Sequence, residues 1–88
     1  MFRFTGHIRQ RMLEREISSD EILLIVNKEV EVVVYPSSQD KEIDLYFGKV
    51  NKKYILVVVD RQNNNLITVR KMRDKEKIIY EEDIKNEK

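Results

Sequence analysis

Tyr54-Ile55-Leu56-Val57-Val58-Val59 is an unbroken apolar run with the length and β-branched character of one strand. A strand that is apolar on both faces must be covered on both, so it belongs in the middle of its sheet. On its N-terminal side the period falls to two. Ile43, Leu45 and Phe47 alternate with Asp44 and Tyr46, and Val30, Val32 and Val34 alternate with Glu31, Val33 and Tyr35 until Pro36 ends the run. On its C-terminal side Leu66, Ile67 and Val69 make a fourth strand. The connections are the polar loop Ser37 to Lys41, the turn Asn51-Lys52-Lys53, and Gln62-Asn63-Asn64-Asn65, whose asparagines tolerate left-handed backbone angles. Turns this short predict antiparallel pairing as a meander. Gly48 is expected to mark a bend or bulge.

Helices flank the strands. Thr5 to Arg15 reads as a first helix with Ile8 and Met12 turned inward and Leu13 directed elsewhere, onto the second helix. Ser18 followed by Glu21 is a capping box, and Ile17 with Ile22 supplies the accompanying hydrophobic staple. The second helix then runs to about Lys28, with Ile22, Leu23, Ile25 and Val26 inward. After the fourth strand a charged helix is expected over residues 72–84, with Met72, Ile78, Ile79 and Tyr80 as its apolar edge, and the last few residues should fray. The expectation is a single α+β domain over residues 1–88: a helical pair at 1–28, a four-stranded antiparallel sheet at 30–71 and a C-terminal helix, with the helices on one face.

Composition narrows the chemistry. The absence of cysteine excludes disulfides, zinc–thiolate sites and cysteine nucleophiles, and one histidine cannot build a histidine-rich metal centre. No metal or cofactor is expected. The apolar runs are far shorter than a membrane span, and no signal-peptide core follows Met1, so a cytoplasmic protein without a membrane partner is expected. The net charge is +1, but it is unevenly distributed. Residues 1–15 carry +3, residues 70–77 carry +3, and residues 16–69 carry −3. Two basic segments could form one phosphate-attracting patch if the fold joined them.

The first of these segments holds the most specific pattern. His7, Arg11 and Arg15 are spaced four apart, which stacks an imidazole and two guanidiniums along one stripe of a helix. At about 100° per residue, the stripe flanks the seam formed by Ile8 and Met12. Like charges at this spacing repel, so either carboxylates from elsewhere in the fold or an external anion should stand nearby.

The pattern His7-x3-Arg11-Met12-x2-Arg15-x-Ile17-Ser18, followed by an aliphatic helix, the run Tyr54 to Val59 and Ile67-Thr68-Val69, resembles the domain of unknown function 4258 family. The segment Ile67-Thr68-Val69-Arg70-Lys71-Met72-x3-Glu76-x3-Tyr80 is similar to the C-terminal signature of BrnT-type toxins. The resemblance implies a RelE-like fold, related to metal-independent ribonuclease folds that include barnase-like nucleases, and a neutralising antitoxin as partner. The first segment departs from the BrnT pattern, so no catalytic assignment carries over on that helix.

Metal-independent RNA cleavage needs proton transfer near the ribose 2′-OH and cations around the phosphate. Histidine suits the first task and arginine the second. The catalytic candidates are therefore His7 as acid or base, with Arg11, Arg15 and Arg70 on phosphate. Lys71, Arg73 and Tyr80 are candidates for binding RNA. Each also has a structural alternative. His7 could be held by a backbone or carboxylate contact, and Arg11 and Arg15 could pair with Asp44 or with second-helix glutamates. Arg70, Lys71 and Arg73 could belong to a solvated helix start, and Tyr80 could be packing. A non-catalytic module of the same fold, binding a protein or nucleic acid, is the alternative function.

Overall fold

In the computed structural model, which describes residues 1–86, the chain runs β1 (Arg3–Phe4), α1 (Gly6–Arg15), α2 (Ser19–Val26), β2 (Val32–Pro36), β3 (Ile43–Val50), β4 (Lys53–Asp60), β5 (Asn65–Lys71) and α3 (Asp74–Asn86). The fraying expected at the C-terminal end falls partly on residues 87–88, outside the described residues. The sheet order is β1-β5-β4-β3-β2. The expected meander is present in β2 to β5, all antiparallel. β4 is an inner strand, with Ile55, Leu56, Val57 and Val59 all buried.

The sheet is nevertheless five-stranded and mixed rather than four-stranded and antiparallel. β1 pairs in parallel with β5 through Arg3 opposite Asn65 and Phe4 opposite Leu66. Two residues are too few to show a period; the Arg3 N–H donates to the Asn64 carbonyl (2.9 Å) and Thr5 Oγ1 to the Leu66 carbonyl (2.8 Å), which hold the segment on β5.

The helices also occupy both faces, not one. Ile8, Ile17, Ile22, Ile25 and Val26 of the α1–α2 layer pack on Val50, Ile55, Val57, Val59, Leu66 and Val69. The alternate residues Val33, Phe47 and Leu56 point the other way and pack with Met72 and Tyr80. Strands that are apolar at both parities need two covering layers, and α3 supplies the second. Its buried seam is not the expected Ile78/Ile79 edge, since these are 60% and 50% exposed. Tyr80 and Ile84, four residues apart, face the sheet instead, and Met72 is buried just before the helix.

Ser18 caps α2 with both halves of the capping box, and Ile17 and Ile22 are buried. Leu13 does not pack onto α2; it is 83% exposed. Gly48 neither bends nor bulges β3. It lies beneath Ile25 of α2, and a Cβ there would stand 2.8 Å from Ile25 Cγ1.

The β3–β4 hairpin closes with Val50 opposite Lys53, and the two turn residues Asn51 and Lys52 both have positive φ, 52° and 68°. This is the geometry of a type I′ turn, which favours Asn-Gly. Lys52→Gly is expected to raise the unfolding free energy by about 0.5–1 kcal/mol, because relief of left-handed strain exceeds the entropy glycine adds to the unfolded chain. Equal or lower stability in a urea melt would contradict this.

Candidate nucleic-acid interface

α1 is fixed to the sheet at its first turn. Thr5 is the N-cap: its Oγ1 accepts from the Ile8 N–H (3.3 Å) and donates to the Leu66 carbonyl (2.8 Å). Ile8, fully buried, and half-buried Met12 then set the rotation of the helix. At the far end Glu16 takes a left-handed conformation (φ 55°), and its carbonyl accepts from Lys53 Nζ at 2.7 Å. The helix is therefore held at both ends and along one seam.

That rotation separates the cations of α1 into two groups. Arg9 and Leu13 face the start of α2, lining an open concavity of about 650 Å³ with Ile17, Ser18 and Lys53. The Arg9 guanidinium lies 5.7 Å from the centre of the Phe4 ring. His7, Arg11 and Arg15 form the opposite flank, as their spacing predicts. His7 and Arg15 are exposed. Arg11 Nη1 pairs with Glu14 Oε1 at 3.0 Å, within its own helix. Neither Asp44 nor a glutamate of α2 reaches the stripe: Asp44 pairs with Arg61 (3.4 Å) and Glu21 with Lys53 (3.2 Å). Among the described residues, His7 and Arg15 have no hydrogen-bond or ion-pair partner for their side chains. α1 thus carries three arginines against Glu14 alone and no acidic residue in its first turn.

Strand alternation divides the second basic segment. Val69 belongs to the α1–α2 side, so Lys71, two residues on and opposite Ile55, points to that side as well. It lies at the same end of the sheet as the C-terminus of α1, which Lys53 anchors. Lys71 therefore lies on the face of the sheet that α1 covers, toward the end where α1 finishes. Arg70, opposite Leu56, points to the α3 side. His7 and Arg70 do not converge, because the sheet stands between them.

Arg70 is engaged where it lies. Its Nη1 and Nη2 donate to Glu76 Oε1 and Oε2 at 2.8 and 2.9 Å. Glu76 Oε1 also accepts the Arg73 N–H at 2.7 Å, tying the start of α3 to the end of β5. The Arg70 guanidinium, together with that N–H, holds the Glu76 carboxyl below its ordinary value, and the Arg70 pKa is raised in turn. Sequence reasoning did not single out Glu76, although it lies within the quoted signature. It also placed the helix start too early. α3 begins at Asp74, so Arg70 and Lys71 are strand residues and do not oppose its macrodipole. Arg73 is exposed just before the helix.

Tyr80 offers no stacking face. It is 5% exposed, its hydroxyl donates to the Glu31 carbonyl (2.7 Å), and its ring meets Tyr54 edge-on at 6.1 Å. Burial pushes its hydroxyl pKa up, which suits a hydrogen-bond donor held neutral. Tyr80 is a packing residue.

Among the described residues no buried side-chain nitrogen or oxygen lacks a partner, and no cluster of three or more acidic or histidine side chains is placed to hold a metal. No helix there is long and apolar enough to cross a membrane. What stands out is a surface: one flank of α1 with net positive charge, with Lys71 on the same face of the sheet. Compared with family models, curated proteins and solved structures, the chain matches none of them.

Proposed function

We propose that this chain is a RelE-like, toxin-fold module that binds RNA phosphates along the flank of α1 formed by His7, Arg11 and Arg15, with Lys71 on the same face of the sheet. The observation that carries the reading is the sparse compensation of this flank: Glu14, the one carboxylate within α1, pairs with Arg11, while Arg15 and His7 have no side-chain partner among the described residues. Repulsion along such a helix is relieved by an anion from outside. Successive members of the stripe rise about 6 Å along the axis, a step comparable to that between phosphates of an extended strand. Guanidiniums recognise phosphate with paired donors. The resemblance to the family of unknown function and to BrnT-type toxins supports RNA as the anion and an antitoxin as protein partner.

The second reading is a metal-independent ribonuclease of a toxin–antitoxin type system. It is favoured by the exposed imidazole of His7, one turn from Arg11. Arg70 has no part in that version, since Glu76 holds it on the other face.

Fluorescence anisotropy with a single-stranded RNA over a salt series tests the first reading. The logarithm of affinity should fall linearly with the logarithm of salt, and Arg11→Gln and Arg15→Gln should each reduce the slope by about 0.7. Unchanged slopes in both variants would remove the α1 interface. RNA integrity in the same samples tests the second: cleavage present in the parent and lost in His7→Gln, with binding retained, is its signature.

A further inference from the structure

The apolar seam that fixes α1 runs out before the helix does. Ile8 is fully buried and Met12 half-buried, but the next position of that series is Glu16, which is exposed. Leu13, Glu14 and Arg15 are exposed as well. The chain then turns. Glu16 takes a left-handed conformation (φ 55°), which is unfavourable for a residue with a Cβ, and Ile17 is buried again. The N–H groups of Glu16 and Ile17 both donate to the Met12 carbonyl. From outside the helix, Lys53 Nζ at the start of β4 donates to the Glu16 carbonyl at 2.7 Å, at the point where the seam would have placed its next apolar contact.

Lys53 is held in turn. Its Nζ also donates to Glu21 Oε1 at 3.2 Å. Glu21 is itself fixed by the Ser18 N–H (2.9 Å) and by Asn51 Nδ2 (3.1 Å). The end of α1, the start of α2 and the β3–β4 hairpin thus meet on one ammonium group. That group borders the concavity lined by Arg9 and Leu13, on the flank of α1 opposite the stripe. With two acceptors already on it, it is not placed to meet an anion bound by His7, Arg11 and Arg15.

We propose that Lys53 is a positioning residue for the stripe: it keeps Arg15 in line with Arg11 and His7 and makes no contact with RNA itself. The proposal rests on the reading of that flank as the RNA-binding surface. A guanidinium on a loose helix end must be ordered each time a phosphate binds, and ordering costs affinity. Anchoring the Glu16 peptide meets that cost in advance for Arg15, its immediate neighbour. Arg11 stands between Ile8 and Met12 and is paired with Glu14, so it is held without Lys53. Two arginines on one stripe should therefore respond differently to the loss of the same lysine.

A double-mutant cycle on the full chain, read by fluorescence anisotropy with a single-stranded RNA at fixed salt, is the test. Lys53→Met is expected to weaken binding at least about threefold in the parent and to make little further difference once Arg15→Gln is present. Combined with Arg11→Gln, its loss should appear in full. Lys53→Arg keeps a long cationic donor and should restore nearly parental affinity. Losses from Lys53→Met and Arg15→Gln that multiply would show Lys53 acting independently of Arg15, which overturns the proposal. Parental affinity in Lys53→Met while Arg15→Gln binds weakly overturns it too, and leaves the RNA-binding flank standing. If Arg11→Gln and Arg15→Gln both bind as the parent does, the flank itself falls and the proposal with it. Lys53→Met/Glu21→Gln removes both charges of the pair and replaces the single variant if that does not fold.

Discussion

A Gly48→Val substitution is expected to lower the unfolding free energy by about 3 kcal/mol, read as a fall in the urea midpoint at unchanged slope. The Cβ alone would stand 2.8, 3.2 and 3.3 Å from Cγ1, Cγ2 and Cδ1 of Ile25. Ile25 is fully buried on α2, and an isoleucine on a helix has one strongly preferred rotamer, so it cannot swing aside. Either α2 rises from the sheet or β3 is pushed down. Gly48→Ala isolates the Cβ contact and should cost about 1–3 kcal/mol. Combining it with Ile25→Ala separates close approach from other causes. The alanine methyl would enter the space that Ile25 vacates, so the pair should cost clearly less than the two single changes added together. Additivity within about 0.5 kcal/mol would mean that the residues do not oppose each other. The site feels this contact too, since only Glu16, Ile17 and Ser18 separate α1 from α2. Raising α2 tilts the stripe.

The same glycine shows what the chain made legible and what it did not. A glycine within an apolar alternation announces a bulge, a bend or a close approach, and only the depth of the opposing helix decides which. The periodic features were readable because each depends on neighbours in sequence: the capping box at Ser18, the inward turn of Ile8, the inner strand at Tyr54 to Val59. β1 was not, because two residues carry no period and their pairing with Asn65 and Leu66 lies across the whole chain. The placement of α3 was nearly readable. An inner strand apolar on both faces demands cover on both, and Val33, Phe47 and Leu56 at the alternate parity were already visible as its requirement.

The candidate site divides along the same line. Membership of the stripe follows from helical spacing and survives in the fold. The convergence of Arg70 with it depended on strand parity, which a single residue inverts. In β5, Ile67 is an extra residue between Val59 opposite Leu66 and Val58 opposite Thr68. This bulge shifts the phase of the strand. Arg70 is thereby sent to Glu76 and Lys71 to the side of α1. A reading based on the charge of residues 70–77 as a block could not separate them.

Glu21→Gln is expected to cost about 2 kcal/mol at neutral pH and less at pH 3. Glu21 is 5% exposed. Its Oε1 accepts from the Ser18 N–H (2.9 Å) and from Lys53 Nζ (3.2 Å), while Oε2 accepts from Asn51 Nδ2 (3.1 Å). Burial alone would push this carboxyl up, but the donors from Ser18, Asn51 and Lys53 together outweigh it and bring the pKa below its ordinary value of 4.5. A carboxyl depressed in the folded state contributes stability in full above its unfolded pKa. That contribution disappears as the pH falls from about 4.5 through the folded value. Glu76, depressed by Arg70, adds a loss of the same sign. Glutamine keeps the shape but turns an amide NH2 toward groups that are themselves donors, so it loses at pH 7 what protonation removes in acid. Denaturation of parent and variant at pH 7 and pH 3 checks this, and an equal gap at both values would show that the ionised carboxylate is not what binds the turn to the hairpin. Glu21 joins the start of α2 to the β3–β4 turn, and Lys53 extends the same network to the Glu16 carbonyl at the end of α1. Acid should therefore loosen the Arg15 end of the stripe before the Thr5 end, whose cap contains no titrating group.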